Sequence, residues 1–211
     1  MENLETIIYI QGHSGIGKTR FAKELIKTIK HLALHYTGEI WEHCITASTN
    51  AFDEFNSQEI LLLDDIRGSS MSVSDWLKLL DPFSISPISA RYHNKQGISK
   101  VIILTAPHAP FLFFSQAEDS ETEDFDQFYR RIDLQIKVTE DFLVSNPYKK
   151  ILSKEELKKF WYRKNTDYQY IFSNPKSYKK DEMKKIIIKK IIRNMHWTKK
   201  DYPSADQSKK G

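Results

Sequence analysis

The chain has 211 residues and a single cysteine, Cys44, which suits one α/β domain with an appendage or two small domains and excludes a disulfide framework or a cysteine-based zinc cluster. No apolar run reaches the length of a membrane span and the start, Met1-Glu2-Asn3-Leu4-Glu5, is acidic where a secretory leader would be basic, so the expectation is a soluble protein with no membrane partner and no targeting signal. The net charge of +4 divides sharply: residues 1–148 carry 13 Lys and Arg against 21 Asp and Glu, net −8, whereas residues 149–211 carry 19 against 7, net +12.

Ile7-Ile8-Tyr9-Ile10 is an apolar strand running into Gly12-His13-Ser14-Gly15-Ile16-Gly17-Lys18-Thr19. Arg20-Phe21-Ala22-Lys23-Glu24-Leu25-Ile26 follows with helical periodicity. Strand, glycine turn and helix in this order make the pattern G-x-x-x-x-G-K-[ST] a phosphate-binding loop. Glycines 12, 15 and 17 let successive backbone N–H groups curl inward as an anion nest at a helix N-terminus. Lys18 then reaches the β- and γ-phosphates, and the Thr19 hydroxyl ligates Mg²⁺. The sequence therefore predicts nucleoside triphosphate binding, with ATP and Mg²⁺ as ligands, by Gly12, His13, Ser14, Gly15, Ile16, Gly17, Lys18 and Thr19. The helix is expected from Lys18 to about Tyr36, with Phe21, Leu25, Ile29 and Leu32 on one face and Thr37-Gly38 ending it.

A short strand is expected at Cys44-Ile45-Thr46, a turn at Ser48-Thr49-Asn50, and core positions at Phe52 and Phe55. Ile60-Leu61-Leu62-Leu63-Asp64-Asp65 reads as a strand buried on both faces, with two carboxylates at its carboxyl end, where open α/β sheets place ligands. One carboxylate would hold the Mg²⁺ shell and the other would orient or deprotonate the attacking water. Spacing does not assign the two roles, although Asp64 is the usual metal-side position. Ser72 to Leu80 is a helix with a Ser/Asp start, stopped by Asp81-Pro82. Ile85 to Gly97 reads as two short strands around a tip carrying Arg91, Tyr92, His93 and Lys95, which suits a phosphodiester backbone or an ordinary exposed turn. Val101-Ile102-Ile103-Leu104-Thr105 is a further buried strand whose terminal Thr105 could face the γ-phosphate.

Gln116 to Asp126 is acidic and expected as an exposed loop; a short helix then leads through Arg130 and Arg131 into Leu134 to Val138, expected as the last sheet strand. Beyond Asp141, Ser153 to Trp161 begins with a capping box and Asp181 to Asn194 has a helical apolar stripe among lysines. Tyr168, Tyr170, Phe172 and Tyr178 alternate with polar residues between them. This tail suits either nucleic-acid contact or a solvated helical cap.

In this order the parts resemble the superfamily 3 helicase domain, more narrowly the helicase half of rolling-circle replication initiator (Rep) proteins of bacterial plasmids and circular single-stranded DNA viruses. The resemblance spans about Ile7 to Val138. It implies an AAA+-like P-loop NTPase over residues 1–140, with a five-stranded parallel sheet flanked by helices; the lysine-rich, mostly helical extension expected over residues 141–211 lies beyond the resemblance. It implies catalysis by Lys18, Asp64, Asp65 and Thr105, metal binding by Thr19 and Asp64, and nucleic-acid contact by Arg91, His93 and Lys95. It also implies an arginine finger, Arg130 or Arg131, acting on the nucleotide of a neighbouring subunit in a homo-hexamer that moves along single-stranded DNA in bacterial cytoplasm. Pro107 stands where the family carries a sensor Asn, and proline has neither a side-chain amide nor a backbone N–H, so Thr105 or Asn50 would have to substitute. The seven histidines form no His-x-His, so the chain is expected not to nick DNA by itself and to work beside a separate nicking endonuclease.

The leading expectation is thus an ATP-dependent helicase of rolling-circle replication. A nucleotide-binding, DNA-binding remnant without turnover is the alternative. A small P-loop kinase would not need the basic hairpin. Backbone contacts and stacking serve RNA as well as DNA, so the sequence does not separate them.

Overall fold

The computed structural model describes residues 5–46, 55–81, 87–89, 94–96, 99–120, 124–159 and 168–198. Its centre is a seven-stranded mixed sheet, mostly parallel. Five strands run parallel in the order β7 (Leu134–Val138), β1 (Thr6–Gln11), β6 (Val101–Ala106), β3 (Ile60–Leu63) and β2 (His43–Thr46). β8 (Phe142–Ser145) pairs antiparallel with β7, and β11 (Lys176–Tyr178) pairs antiparallel with β8.

The central strands are apolar on both faces because helices cover both faces. Along β1, Ile8 and Ile10 enter one core while Ile7 and Tyr9 enter the other. β3 and β6 divide likewise, Leu62 and Ile103 on the first face, Leu61 and Ile102 on the second. The first face carries α1 (Lys18–Thr37) and α6 (Lys180–Asn194), through Phe21, Leu25, Ile29, Met183, Ile187 and Ile191. The second carries α2 (Val73–Leu79), α3 (Pro110–Phe114) and α4 (Asp126–Tyr129), through Trp76, Phe113, Phe114 and Phe128. Ser72 caps α2 by accepting from Asp75 N–H. Gly68 packs so tightly on α3 that a Cβ there would lie 1.6 Å from the Phe113 carbonyl oxygen.

Two short strands, β4 (Pro87–Ser89) and β5 (Asn94–Gln96), form the expected antiparallel hairpin between α2 and β6. The expected turn at 48–50, Phe52, Arg91 and His93 lie outside the described residues, whereas Phe55 is fully buried.

The tail departs from expectation. β7 is not the last sheet strand, since β8 and β11 extend the sheet from five strands to seven. Among the described residues after 140, strands stand beside the expected helices: β9 (Pro147–Ile151) and β10 (Tyr168–Phe172) form an antiparallel ribbon, beside α5 (Lys154–Lys159) and α6. The alternation of aromatic and polar residues at 168–172 and 176–178 was a period-2 signal. Gln116 to Asp126 is likewise no simple exposed loop, because Ala117, Ser120 and Asp126 are buried against the second core.

Candidate nucleotide-binding site

β1 delivers the chain to Gly12, whose N–H donates to the Ala106 carbonyl at the end of β6. The loop turns back through Gly17, which caps α1 at φ 97°, a left-handed conformation that costs a glycine little. Lys18, the first helical residue, is 6% exposed, and its ammonium donates to the Gly12 carbonyl at 2.8 Å and the His13 carbonyl at 3.1 Å. The loop's own carbonyls thus hold the cation against the glycine turn. His13, Ser14, Gly15, Ile16 and Gly17 are exposed along the loop.

At the next residue of α1, the Thr19 hydroxyl donates to Asp64 Oδ1 at 2.8 Å. The Thr105 hydroxyl donates to the same oxygen at 2.8 Å and accepts from Asp65 N–H at 2.7 Å. P-loop helix, β3 and β6 therefore meet at one carboxylate. Thr19 and Asp64 form a pair of hard oxygen donors that fits a Mg²⁺ shell. Asp65 is exposed and holds φ 51°, a strained conformation for a side-chain-bearing residue, stabilised by the bond from its N–H to Thr105. Thr105 is fully buried, so its hydroxyl holds the Asp64 carboxylate and the Asp65 backbone from beneath rather than reaching into the cleft.

A cleft of about 850 Å³ opens over this group. Arg20, Lys23, Glu24 and Lys27 also line it, and motif reading did not single them out. Their spacing along the exposed side of α1 was the available signal. Glu24 accepts from Lys180 and Lys184 at the start of α6, and these hydrogen bonds hold its carboxyl down at about 2. The lysine-rich helix thus reaches the rim of the cleft. A second cavity of about 570 Å³ lies on the other side of the loop, between Ile16, Pro107, Lys137 and Val138.

The two arginines are separated by their surroundings. Arg131 is tied inward, 3.6 Å from Asp81 at the end of α2 and donating to the Gln127 carbonyl; burial, then Arg130, lower its pKa. Arg130 is exposed. Lys95 lies in β5, opposite Ile88. Among the described residues there is no cluster of His, Cys, Asp and Glu that could hold a metal by itself, and no helix long and apolar enough to cross a membrane.

Residues 8–108, from β1 through the end of β6, match the family described as RNA helicase. A replication protein of Onion yellows phytoplasma (strain OY-M) is 30% identical over 150 residues, which are 71% of this chain and 37% of that protein. The chain therefore spans well under half the length of the relative it matches. Motif order, the helicase match over residues 8–108 and the likeness to a replication protein support a superfamily 3 helicase-type replication protein.

Proposed function

We propose that the chain is an ATP-hydrolysing motor acting on single-stranded nucleic acid, DNA in the first instance, during rolling-circle replication. The observation that carries this reading is the junction of Thr19, Asp64, Asp65 and Thr105 beneath the Lys18 loop. The loop N–H groups and Lys18 bind the β- and γ-phosphates, and the second cavity takes the nucleoside. Thr19 and Asp64 would hold Mg²⁺, which when bound would supply charge neutralisation of the phosphate oxygens. Asp65, held in place by Thr105 and facing the cleft, orients the attacking water and accepts its proton. The oxygen of that water bonds to the γ-phosphorus as the bond to the β–γ bridging oxygen breaks.

Arg130, exposed, is the arginine that would act on a neighbouring subunit's nucleotide in a homo-hexameric ring; Arg131 is engaged in its own subunit. The hairpin of β4 and β5, through Lys95 and the tip residues Arg91 and His93, would grip the strand. A separate nicking endonuclease would open the duplex.

ATP hydrolysis by the purified chain, measured with and without single-stranded DNA and beside Lys18→Ala, tests the reading. Strand-stimulated hydrolysis that disappears in the variant supports it. Nucleotide binding without turnover under every condition would leave the second reading, a nucleotide-gated remnant, which Pro107 in the sensor position favours.

A further inference from the structure

The ribbon of β9 and β10 stands apart from the main sheet and carries an aromatic face that the motor does not use. Its register sets Tyr168 opposite Ile151, Tyr170 opposite Lys149 and Phe172 opposite Pro147. Directly opposed residues share a face, as do residues two apart, so Tyr168, Tyr170 and Phe172 form one ladder with Lys149 beside it. Phe172 anchors the ladder, its ring 5.1 Å from Tyr129 of α4. The outer rings, Tyr168 and Tyr170, are 6.1 Å apart and only half-buried, and Ile151 next to them is 74% exposed. The Lys149 ammonium lies 3.7 Å from the centre of the Tyr168 ring. From Pro147 to Phe172 the sequence carries seven Lys and Arg against three Asp and Glu.

We propose that this ribbon face is a second nucleic-acid site, a platform on which unpaired bases stack against Tyr168 and Tyr170 while Lys149 meets the phosphate between them. The pairing of residue types selects the ligand. A duplex hides its base faces and would use the lysine alone. An acidic peptide would also leave the rings without a partner, and an apolar peptide would oppose the surrounding positive charge. A single strand satisfies both, with stacking independent of sequence and a backbone that the lysines attract. The ribbon leans on α4, one residue before Arg130, so the platform would hold strand beside the element that carries the exposed arginine. Binding there requires no turnover, so the platform and the motor reading stand or fall separately.

The test is fluorescence anisotropy of a labelled oligothymidylate with the full chain, without nucleotide, against an abasic strand of equal length. Wild type should bind oligothymidylate more tightly than the abasic strand by about tenfold or more. Tyr168→Leu/Tyr170→Leu, which keeps apolar bulk in the ribbon, should remove that difference, and Lys149→Gln should reduce the salt slope by about one. Equal affinity of wild type for the two strands, or wild-type affinity in a double variant with wild-type circular dichroism, overturns the platform; a ribbon that docks a protein partner gives this second result. Should the double variant fail to fold, Tyr170→Trp supplies the readout. Quenching of its added emission by oligothymidylate, and not by the abasic strand, supports the platform, and unchanged emission overturns it.

Discussion

At the carboxyl end of the parallel strands, Lys18, Thr19, Asp64 and Asp65 border an open cleft; at the amino end, Glu5, Asp81, Arg131, Asp133 and Lys190 gather around the start of β1 and β7. The second group is mostly internal wiring. Asp133 accepts from Ile7 N–H and pairs with Lys190 at 2.9 Å, and the Asn194 amide donates to Asp133, Thr6 and the Glu5 carbonyl. Those contacts fasten the end of α6 to the sheet. The most perturbed carboxyl outside the rim of the cleft also belongs there: burial first, then Asp133 and Asp81, push Glu5 up to about 8, against the pull of Arg131. A perturbed acid is therefore not by itself a catalytic one. What separates the two ends is access: the amino-end charges pack together at the strand starts, and the carboxyl-end charges line an open cleft of about 850 Å³.

Four experiments sharpen the contrast. The largest effect is expected from Lys18→Ala and Asp64→Asn, each lowering turnover by roughly 100-fold or more while leaving thermal stability close to wild type. Steady-state hydrolysis and a melting curve on the same sample check both halves. Arg131→Ala should do the reverse. It removes the 3.6 Å ion pair to Asp81 and the hydrogen bond to the Gln127 carbonyl and should cost about 1–3 kcal/mol of stability by urea unfolding, with nucleotide affinity kept in the folded fraction.

Thr105→Val comes next. Losing the hydroxyl that holds Asp64 and Asp65 should lower kcat by about 10-fold to 100-fold with little change in KM, and Thr105→Ser should restore it. A rise in KM at constant kcat would instead make Thr105 a binding residue. The smallest effect concerns pH. Glu5 binds its proton more tightly folded than unfolded, so its contribution is complete below about 4.5 and is lost as pH rises towards about 8. Glu5→Gln should flatten the decline in melting temperature across that window, a difference of a few kcal/mol at most. An identical decline in the variant would assign it to other groups.

Contiguous chemistry was legible in the residues themselves. The glycine loop before an amphipathic helix, the four aliphatics ending in Asp64-Asp65, the hairpin and the strand ending in Thr105 are each set by neighbours in sequence, through backbone freedom, periodicity and burial on both faces. Pairing over long separations was not legible. Whether Asp64 or Asp65 meets Thr19, which arginine is pinned, and that β8, β11 and α6 complete the main sheet and its first core depend on partners up to 189 residues away. Local pattern states what a segment can bury or bond. The tertiary structure decides with what, because only the assembled sheet brings the start of α1 and the ends of β3 and β6 to one carboxylate and turns Arg131 inward while leaving Arg130 in solvent.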